Sequence, residues 1–213
     1  MQLRTLRPTL VLAAALAGLA ALPAQAAPAT YTIVSKISRV SFTLLHQGFI
    51  ELIGTARLAP GSFTFDPDDW SKSSISVTLP TASIDMGDAT WNGQIRSDPD
   101  WAKLWATPAI EFRSTALEKT DAMHGRLSGT LAMAGVTRPV TLQVTFNKLG
   151  VNEVTEFRSV GFSATTTIKR SQWNLDAYSD LVGDDMKIQV QVEAAIGADG
   201  DAAHDITALG VKR

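Results

Sequence analysis

The chain has 213 residues, 45% of them hydrophobic and 19% charged, with 19 Lys and Arg against 21 Asp and Glu for a formal net charge of −2. That balance excludes the basic footprint of a nucleic-acid binder. The absence of cysteine excludes disulfides and thiol chemistry, so stability rests on burial and hydrogen bonding within what the length suggests is one domain.

Arg4 and Arg7 precede an apolar run from about Thr9 to Leu22, followed by Ala24 and Ala26 in an A-x-A spacing. This is the layout of a secretory signal peptide over residues 1–26, cut near Ala26. The run is shorter than the ~20 residues of a membrane-spanning helix, and no second such stretch follows. The expected mature protein is periplasmic or secreted and not membrane-integral. It keeps 17 basic and 21 acidic side chains.

From residue 27 the dominant pattern has a period of two. Val40, Phe42 and Leu44 alternate with Ser41 and Thr43, and a Pro60-Gly61 turn leads into SFTFD with Phe63 and Phe65. Ile75, Val77 and Leu79 continue the beat. Between that strand and the next one, at Ile110 and Phe112, lies TWNGQIRSDPDWAKLWATPAIEF, which carries three tryptophans. Ser97 or Asp98 can cap a short helix with Pro99 in its first turn. Trp101 and Trp105 then share one helical face, with Trp91 leading in and Asp100 and Lys103 pointing to water.

Further strands follow at Leu127, Gly129, Leu131 and Met133, and at Val140, Leu142, Val144 and Phe146. A turn from Gly135 through Pro139 separates the two. Val160, Phe162, Ala164 and Ile168 mark the next strand; Gly183-Asp184-Asp185 turns into the last, with Met186, Ile188, Val190 and Val192. One apolar and one polar face per strand indicates antiparallel pairing with a wet side. About eight such strands predict an all-β closed barrel or a sandwich, and closure leaves no long exposed edge. Residues 197–213 lack periodicity and read as a flexible tail.

Several stretches carry a family resemblance: YTIVSKISRVSFTLLHQG, IRSDPDWAKLWATPAIEF, AGVTRPVTLQVTF, and KRSQWNL with VGDDMKIQVQVEA. In that order they resemble the landmarks of the YceI-like family of lipocalin-like exported proteins, from Tyr31 to about Ala195. The resemblance implies an eight-stranded antiparallel barrel over 27–196, to which the Pro99 segment adds a short helix between middle strands. It also implies a long apolar channel holding a polyisoprenoid or related lipid, with no established catalysis. The chain departs from the family at Trp91-Asn92-Gly93-Gln94-Ile95, where members commonly carry an Arg-Asp pair and a His-Leu. Any ligand role of those residues is not carried over. Trp173 stands where the family prefers phenylalanine or tryptophan, and Asn174 stands in for a glycine that a left-handed turn favours.

The candidate channel residues are Phe42 and Leu44, Phe63 and Phe65, Ile75 and Val77, and Phe112. On later strands they are Leu127, Gly129 and Leu131, then Leu142 and Val144, Phe162, and Ile188. Small residues at Gly54, Ala56, Gly129 and Ala164 leave room among them, since an eight-stranded barrel is either filled by side chains or just wide enough for one slender ligand. Trp101, Trp105 and Trp173 are candidates for the mouth or a lid. Arg96, Arg138 and Arg170 lie nearest the matched motifs, and Arg96 and Arg170 are assigned to the mouth, because arginine suits a diphosphate. A surface or turn-stabilising role accounts for each arginine as well.

No catalytic residue, metal site or cofactor is expected. The chain has no G-x-S-x-G, H-E-x-x-H, G-x-G-x-x-G or P-loop, and His46, His124 and His204 lack metal-ligand spacing. Asp176, Asp180, Asp184 and Asp185 read as a solvated acidic loop rather than a calcium site. The leading expectation is an exported lipid-binding protein that stores or transports a polyisoprenoid, an isoprenoid quinone or a fatty acyl chain. The alternative is a non-enzymatic envelope stress or interaction module with a filled barrel; an enzyme acting on a bound lipid ranks third. A homodimer is left open.

Overall fold

A computed structural model describes residues 27–197. The export signal read over 1–26 and the tail after Gly197 lie outside the described residues. Three strands, β1 (Ala29–Ile33), β2 (Arg39–His46) and β3 (Ile50–Arg57), precede the short β4 (Ser62–Phe65) and β5 (Ser76–Pro80). After β5 the chain forms helices α1 (Ala89–Ser97) and α2 (Ala102–Trp105), joined by a 3₁₀ turn at Pro99–Trp101. The remaining strands are long: β6 (Ala109–Lys119), β7 (His124–Met133), β8 (Val136–Val151), β9 (Arg158–Lys169) and β10 (Val182–Ala195).

Eight strands form one antiparallel ribbon in the order β3-β2-β10-β9-β8-β7-β6-β5. The ribbon curls until its outer strands approach each other. Thr55 donates to the Asp85 carbonyl at 2.8 Å, Asp85 donates back at 2.9 Å, and the Ala59 N–H reaches the Thr78 carbonyl at 2.8 Å. The wall is therefore a curled eight-stranded antiparallel sheet sealed by a bridge rather than by a full ladder.

The period-two sequence pattern maps directly onto this wall. Val40, Phe42 and Leu44 of β2 stand beside Val190, Ile188 and Met186 of β10, all against the interior. The intervening pairs, Ser41 with Gln189 and Thr43 with Lys187, face out, as the alternation of a strand requires. β3 was harder to see in the sequence because its inward stripe carries Gly54 and Ala56, which add little to an apolar period.

β1 and β4 form a short pair across one end, with Tyr31 opposite Phe63, and β1 continues onto the end of β10 through Thr32–Ala195 and Ile33–Ala194. That end is filled by rings. Phe65 meets Phe162 at a centroid distance of 4.9 Å and an angle of 84°, and lies 5.8 Å from Phe146 and 5.9 Å from Trp70. Tyr31 stacks on Phe63 at 5.9 Å. Edge-to-face and offset pairs of this kind add about 0.5–1.5 kcal/mol each beyond their burial. The floor is thus closed by packed rings, and access is left to the opposite end.

Two local expectations change. The turn read from Gly135 through Pro139 is tighter: Ala134 (φ 49°) and Gly135 (φ 77°) alone make it, and β8 starts at Val136, paired with Met133. Pro139 sits inside β8 because the ladder from β8 to β9 begins only at Gln143, so its missing N–H costs no bond on that side. The second change is in the tryptophan segment. Asp98 caps the Pro99 turn by accepting from the Asp100 N–H at 2.9 Å, as one of the two expected caps, but Trp91 belongs to a separate helix. Asp88 caps that helix by accepting from the Trp91 N–H at 2.8 Å. Gly93 and the polar residues around it hide this helix from an apolar-period reading.

Candidate functional site

The barrel encloses a cavity of about 540 Å³ that runs from the aromatic floor to the helical end. Its size is that of a small-molecule site. The wall is almost wholly aliphatic and aromatic. Of the sequence-derived candidates, Phe42, Leu44, Phe63, Phe65, Ile75 and Val77 line it from the first half of the barrel. From the second half come Phe112, Leu127, Leu131, Leu142, Val144, Phe162 and Ile188. The strand phase that period-two reading assigned is the phase that faces the cavity.

Gly129 stands apart. A Cβ there would lie 2.5 Å from the Phe112 ring and 2.4 Å from the Arg113 carbonyl oxygen. Gly54 is covered in the same way by the Phe42 ring, at 2.2 Å. The space these glycines leave is therefore taken by neighbouring phenylalanines rather than opened to a ligand. Ala56 and Ala164, in contrast, do line the cavity.

At the open end, three tryptophans form the roof. Trp91 comes from α1, Trp101 from the 3₁₀ turn and Trp105 from α2; all are half-buried and line the cavity, with Leu104 beside them. The Trp105 indole N–H donates to the Ile95 carbonyl at 3.2 Å, tying α2 to α1. Arg96 lays its guanidinium 5.6 Å from the Trp105 ring centroid and donates to the carbonyls of Ala82 and Ile84 at 2.9 and 3.0 Å. The roof is therefore one unit hung between β5 and β6.

The loop between β9 and β10 meets this roof. Its centre is Arg170, which is 1% exposed. Arg170 donates through Nε to the Gly183 carbonyl at 3.0 Å, through Nη2 to Val182 at 2.7 Å, and through Nη1 to Ala177 at 2.7 Å and to Leu175. Burial draws its pKa down, against the pull of Asp184 and Asp176. A guanidinium spent on four carbonyls organises its own loop, and its outer face lies 5.7 Å from the Trp101 ring centroid. Asp184 extends the network by accepting from the Ser171 N–H and hydroxyl, both at 2.9 Å. Burial tends to raise its pKa, but those two bonds, with Lys169 and Arg170 nearby, hold it below the usual carboxylate value.

Trp173 does not reach the cavity. It is fully buried beside Met133, Ile168 and Leu175, and donates its indole N–H to the Leu131 carbonyl at 3.1 Å. Asn174 follows it in left-handed geometry (φ 57°, ψ 26°), closing the 3₁₀ turn Arg170–Trp173. Asn174 thus takes the conformation for which a glycine is usual. Arg138 is exposed and donates to the Gln172 carbonyl at 3.2 Å.

Residues without a sequence-derived role at the mouth complete it. Tyr178 and Leu181 of the β9–β10 loop, Val182 at the start of β10, and Asn92, Gln94 and Asp98 of the roof all line the opening. The Tyr178 hydroxyl donates to Asp98 Oδ2 at 2.8 Å, and its ring lies 6.4 Å from Trp101. His46 lies at the rim near the end of β2. His124 is remote from it, 2.9 Å from Asp121 at the start of β7. Among the described residues, no three His, Cys, Asp or Glu cluster as metal ligands, and no helix is long and apolar enough to cross a membrane.

A model of the YceI-like domain matches residues 31–194 of the chain. A UPF0312 protein of Ectopseudomonas mendocina is 33% identical over 166 residues, which cover 77% of this chain and 86% of that protein. One from Azotobacter vinelandii is 30% identical over 185 residues, covering 85% of this chain and 95% of that protein. Among solved structures, Burkholderia cenocepacia BcnA is similar with a TM-score of 0.64 and 25% identity, over 76% of this chain and 98% of BcnA. A polyisoprenoid binding domain from Saccharophagus degradans, implicated in plant cell wall breakdown, shares the fold at a TM-score of 0.55 and 12% identity. That likeness covers 78% of this chain and 97% of the domain.

Proposed function

This chain belongs to the YceI-like domain family, and on that premise we propose that it is an exported lipid-binding protein. In this reading it holds a polyisoprenoid, or a similar long apolar chain such as an isoprenoid quinone or fatty acyl group, for storage or transport. The observation that carries the reading is the cavity itself: about 540 Å³, walled by aliphatic and aromatic side chains, closed at one end by rings and roofed by tryptophan at the other. Each methylene-sized group moved from water into such a wall contributes roughly 0.8 kcal/mol. Ten of them supply about 8 kcal/mol, which exceeds the cost of ordering a slender ligand at the lower end of its range. The fold shared with a polyisoprenoid binding domain supports the same ligand class.

In this reading the polar end of the ligand meets Asn92, Gln94, Arg96 and Asp98, which line the opening. Arg170 contributes little there, since its donors are committed to the carbonyls of its own loop. One arginine beside an aspartate favours a small, uncharged head such as an alcohol or a quinone ring over a diphosphate. The protein acts by shielding its ligand from water, without a chemical step, in the periplasm or outside the cell.

Native mass spectrometry of protein purified without detergent, followed by solvent extraction, tests this reading. The expected result is an adduct mass that disappears on extraction, or stoichiometric uptake of an added polyprenol. A clean apo mass together with no uptake overturns it. Ala164→Phe supplies the control, because the alanine lines the cavity between Val144 and Val190 in the ladder. A ring there that displaces about three methylene-sized groups should weaken binding by about 2.4 kcal/mol, or roughly fifty-fold.

A further inference from the structure

The hairpin between β2 and β3 ends in side chains that the rest of the fold does not cover. Gln47 and Gly48 adopt left-handed backbone angles (φ 49° and 75°), and the turn they make places Phe49 at the tip. Phe49 is 83% exposed, Ile53 is 65% exposed, and Ile50 and Leu45 are exposed with them. The β9–β10 loop adds Tyr178 and Leu181, also exposed. The Gln47 N–H donates to the Leu181 carbonyl at 2.7 Å, which fixes the hairpin tip against that loop.

Exposed apolar side chains gathered at one hairpin tip and the adjoining loop mark an interaction site. Its position indicates with what. Leu181 and Tyr178 belong both to the patch and to the cavity mouth, and His46 and Leu52 of the same hairpin line the cavity. Apolar surface thus continues from the inside of the barrel, over the rim, to the outside. A water-insoluble chain could cross that rim without meeting bulk solvent only if the patch were seated in an apolar medium.

We propose that the Phe49 hairpin docks the mouth onto the surface of a lipid bilayer, where the ligand enters and leaves the barrel. This inference rests on the lipid-binding reading above. A second copy of the chain is the weaker occupant on two counts. The patch has about six apolar side chains, whereas a stable protein interface needs roughly 20–30 residues a side, and it projects as a hairpin tip rather than lying flat. The neighbouring charges, Asp180 and the ion pair between Lys187 and Glu51, carry no positive excess. Attraction therefore comes from burial of Phe49, Ile50 and Leu181 and not from anionic lipid, so it should be indifferent to salt.

The test compares the wild type with the double variant Phe49→Ser, Ile50→Ser, both positions being exposed and so of small consequence for folding. Flotation with neutral phosphatidylcholine vesicles should recover the wild type equally at low and high salt, and the double variant at least about tenfold less. A fluorescent polyprenol is then offered to both proteins, either from the same vesicles or as a soluble cyclodextrin complex. Slow uptake by the double variant from vesicles, with normal uptake from cyclodextrin, is the expected result. Equal uptake by the two proteins from both sources overturns the docking proposal and leaves the lipid-binding reading intact. Failure of the wild type with both sources overturns the lipid-binding reading itself. If sedimentation shows a wild-type dimer that the double variant splits, the patch is an interface between copies and the bilayer proposal fails.

Discussion

The hydroxyl of Tyr178 donates to Asp98 Oδ2 at 2.8 Å across 80 positions of sequence. Asp98 caps the turn that carries Trp101 into the roof, and Tyr178 belongs to the loop that Arg170 holds in shape. The contact therefore joins the roof to the β9–β10 loop over the mouth. Lys103 adds a second tie, from Nζ to the Asn174 carbonyl at 3.4 Å.

The first prediction concerns that latch. Tyr178→Phe keeps the ring against Trp101 and removes only the hydroxyl bond to Asp98. Release of a bound fluorescent lipid should speed up by roughly fivefold, with a modest loss of stability at neutral pH. An unchanged release rate would show that the latch does not gate the cavity.

The same bond sets an alkaline signature. The Tyr178 pKa is pushed up to about 12, chiefly by the hydrogen bond to Asp98, with burial and the charges of Asp98 and Asp100 adding to it. The folded phenol holds its proton more tightly than an unfolded one, which titrates near ~10. The stability it contributes is therefore complete below about pH 10 and is lost as pH rises toward 12. Denaturant titrations of wild type and Tyr178→Phe should converge over that window, and parallel curves would contradict the linkage.

Two glycines should separate folding from binding. At Gly129 a Cβ meets the Arg113 backbone oxygen, which cannot move aside, so Gly129→Ala should cost about 1–3 kcal/mol of stability, read by urea denaturation. At Gly54 the nearest atoms are those of the Phe42 ring, which can swing further into the cavity. Gly54→Ala should therefore cost less stability but lower lipid uptake. The reverse ordering in the two assays would refute this account of the ring-covered glycines.

Arg170 should behave as a structural cation. Arg170→Met strands the carbonyls of Leu175, Ala177, Val182 and Gly183, at an expected cost on the order of 3 kcal/mol or more in thermal or chemical unfolding. Arg170→Lys should not rescue it, because an ammonium cannot reproduce the planar fork. Full stability of the lysine variant would reassign Arg170 from the loop to the ligand.

How much of this was legible in the chain follows from where the signal is local. A strand with one wet face writes its inward residues at every second position, so Phe42, Leu44, Leu142, Val144 and Ile188 could be assigned to the interior from sequence order alone. Asp98, with Ser97 one of two candidates, announced a helical cap by its place before Pro99, and Asn174 its left-handed turn. Family motifs then pointed to a barrel with an apolar channel. The inward phase, the cap and the turn are properties of neighbours in the chain, and elementary sterics and hydropathy suffice for them; the channel came from the family resemblance alone.

Tertiary structure decided what distant residues do to one another. Gly129 reads as open space until the Phe112 ring is seen lying over it, and Arg170 reads as a candidate phosphate ligand until its donors are found on carbonyls up to 13 residues away. Trp101, Trp105 and Trp173 look alike in sequence, yet two roof the cavity and the third is sealed under Leu131. The Tyr178–Asp98 latch, and the run of apolar surface from the cavity to Phe49, exist only because the ribbon curls and brings its loops to one end. Local periodicity specifies which face of a strand is buried; the closure of the barrel determines which buried faces enclose room for a ligand.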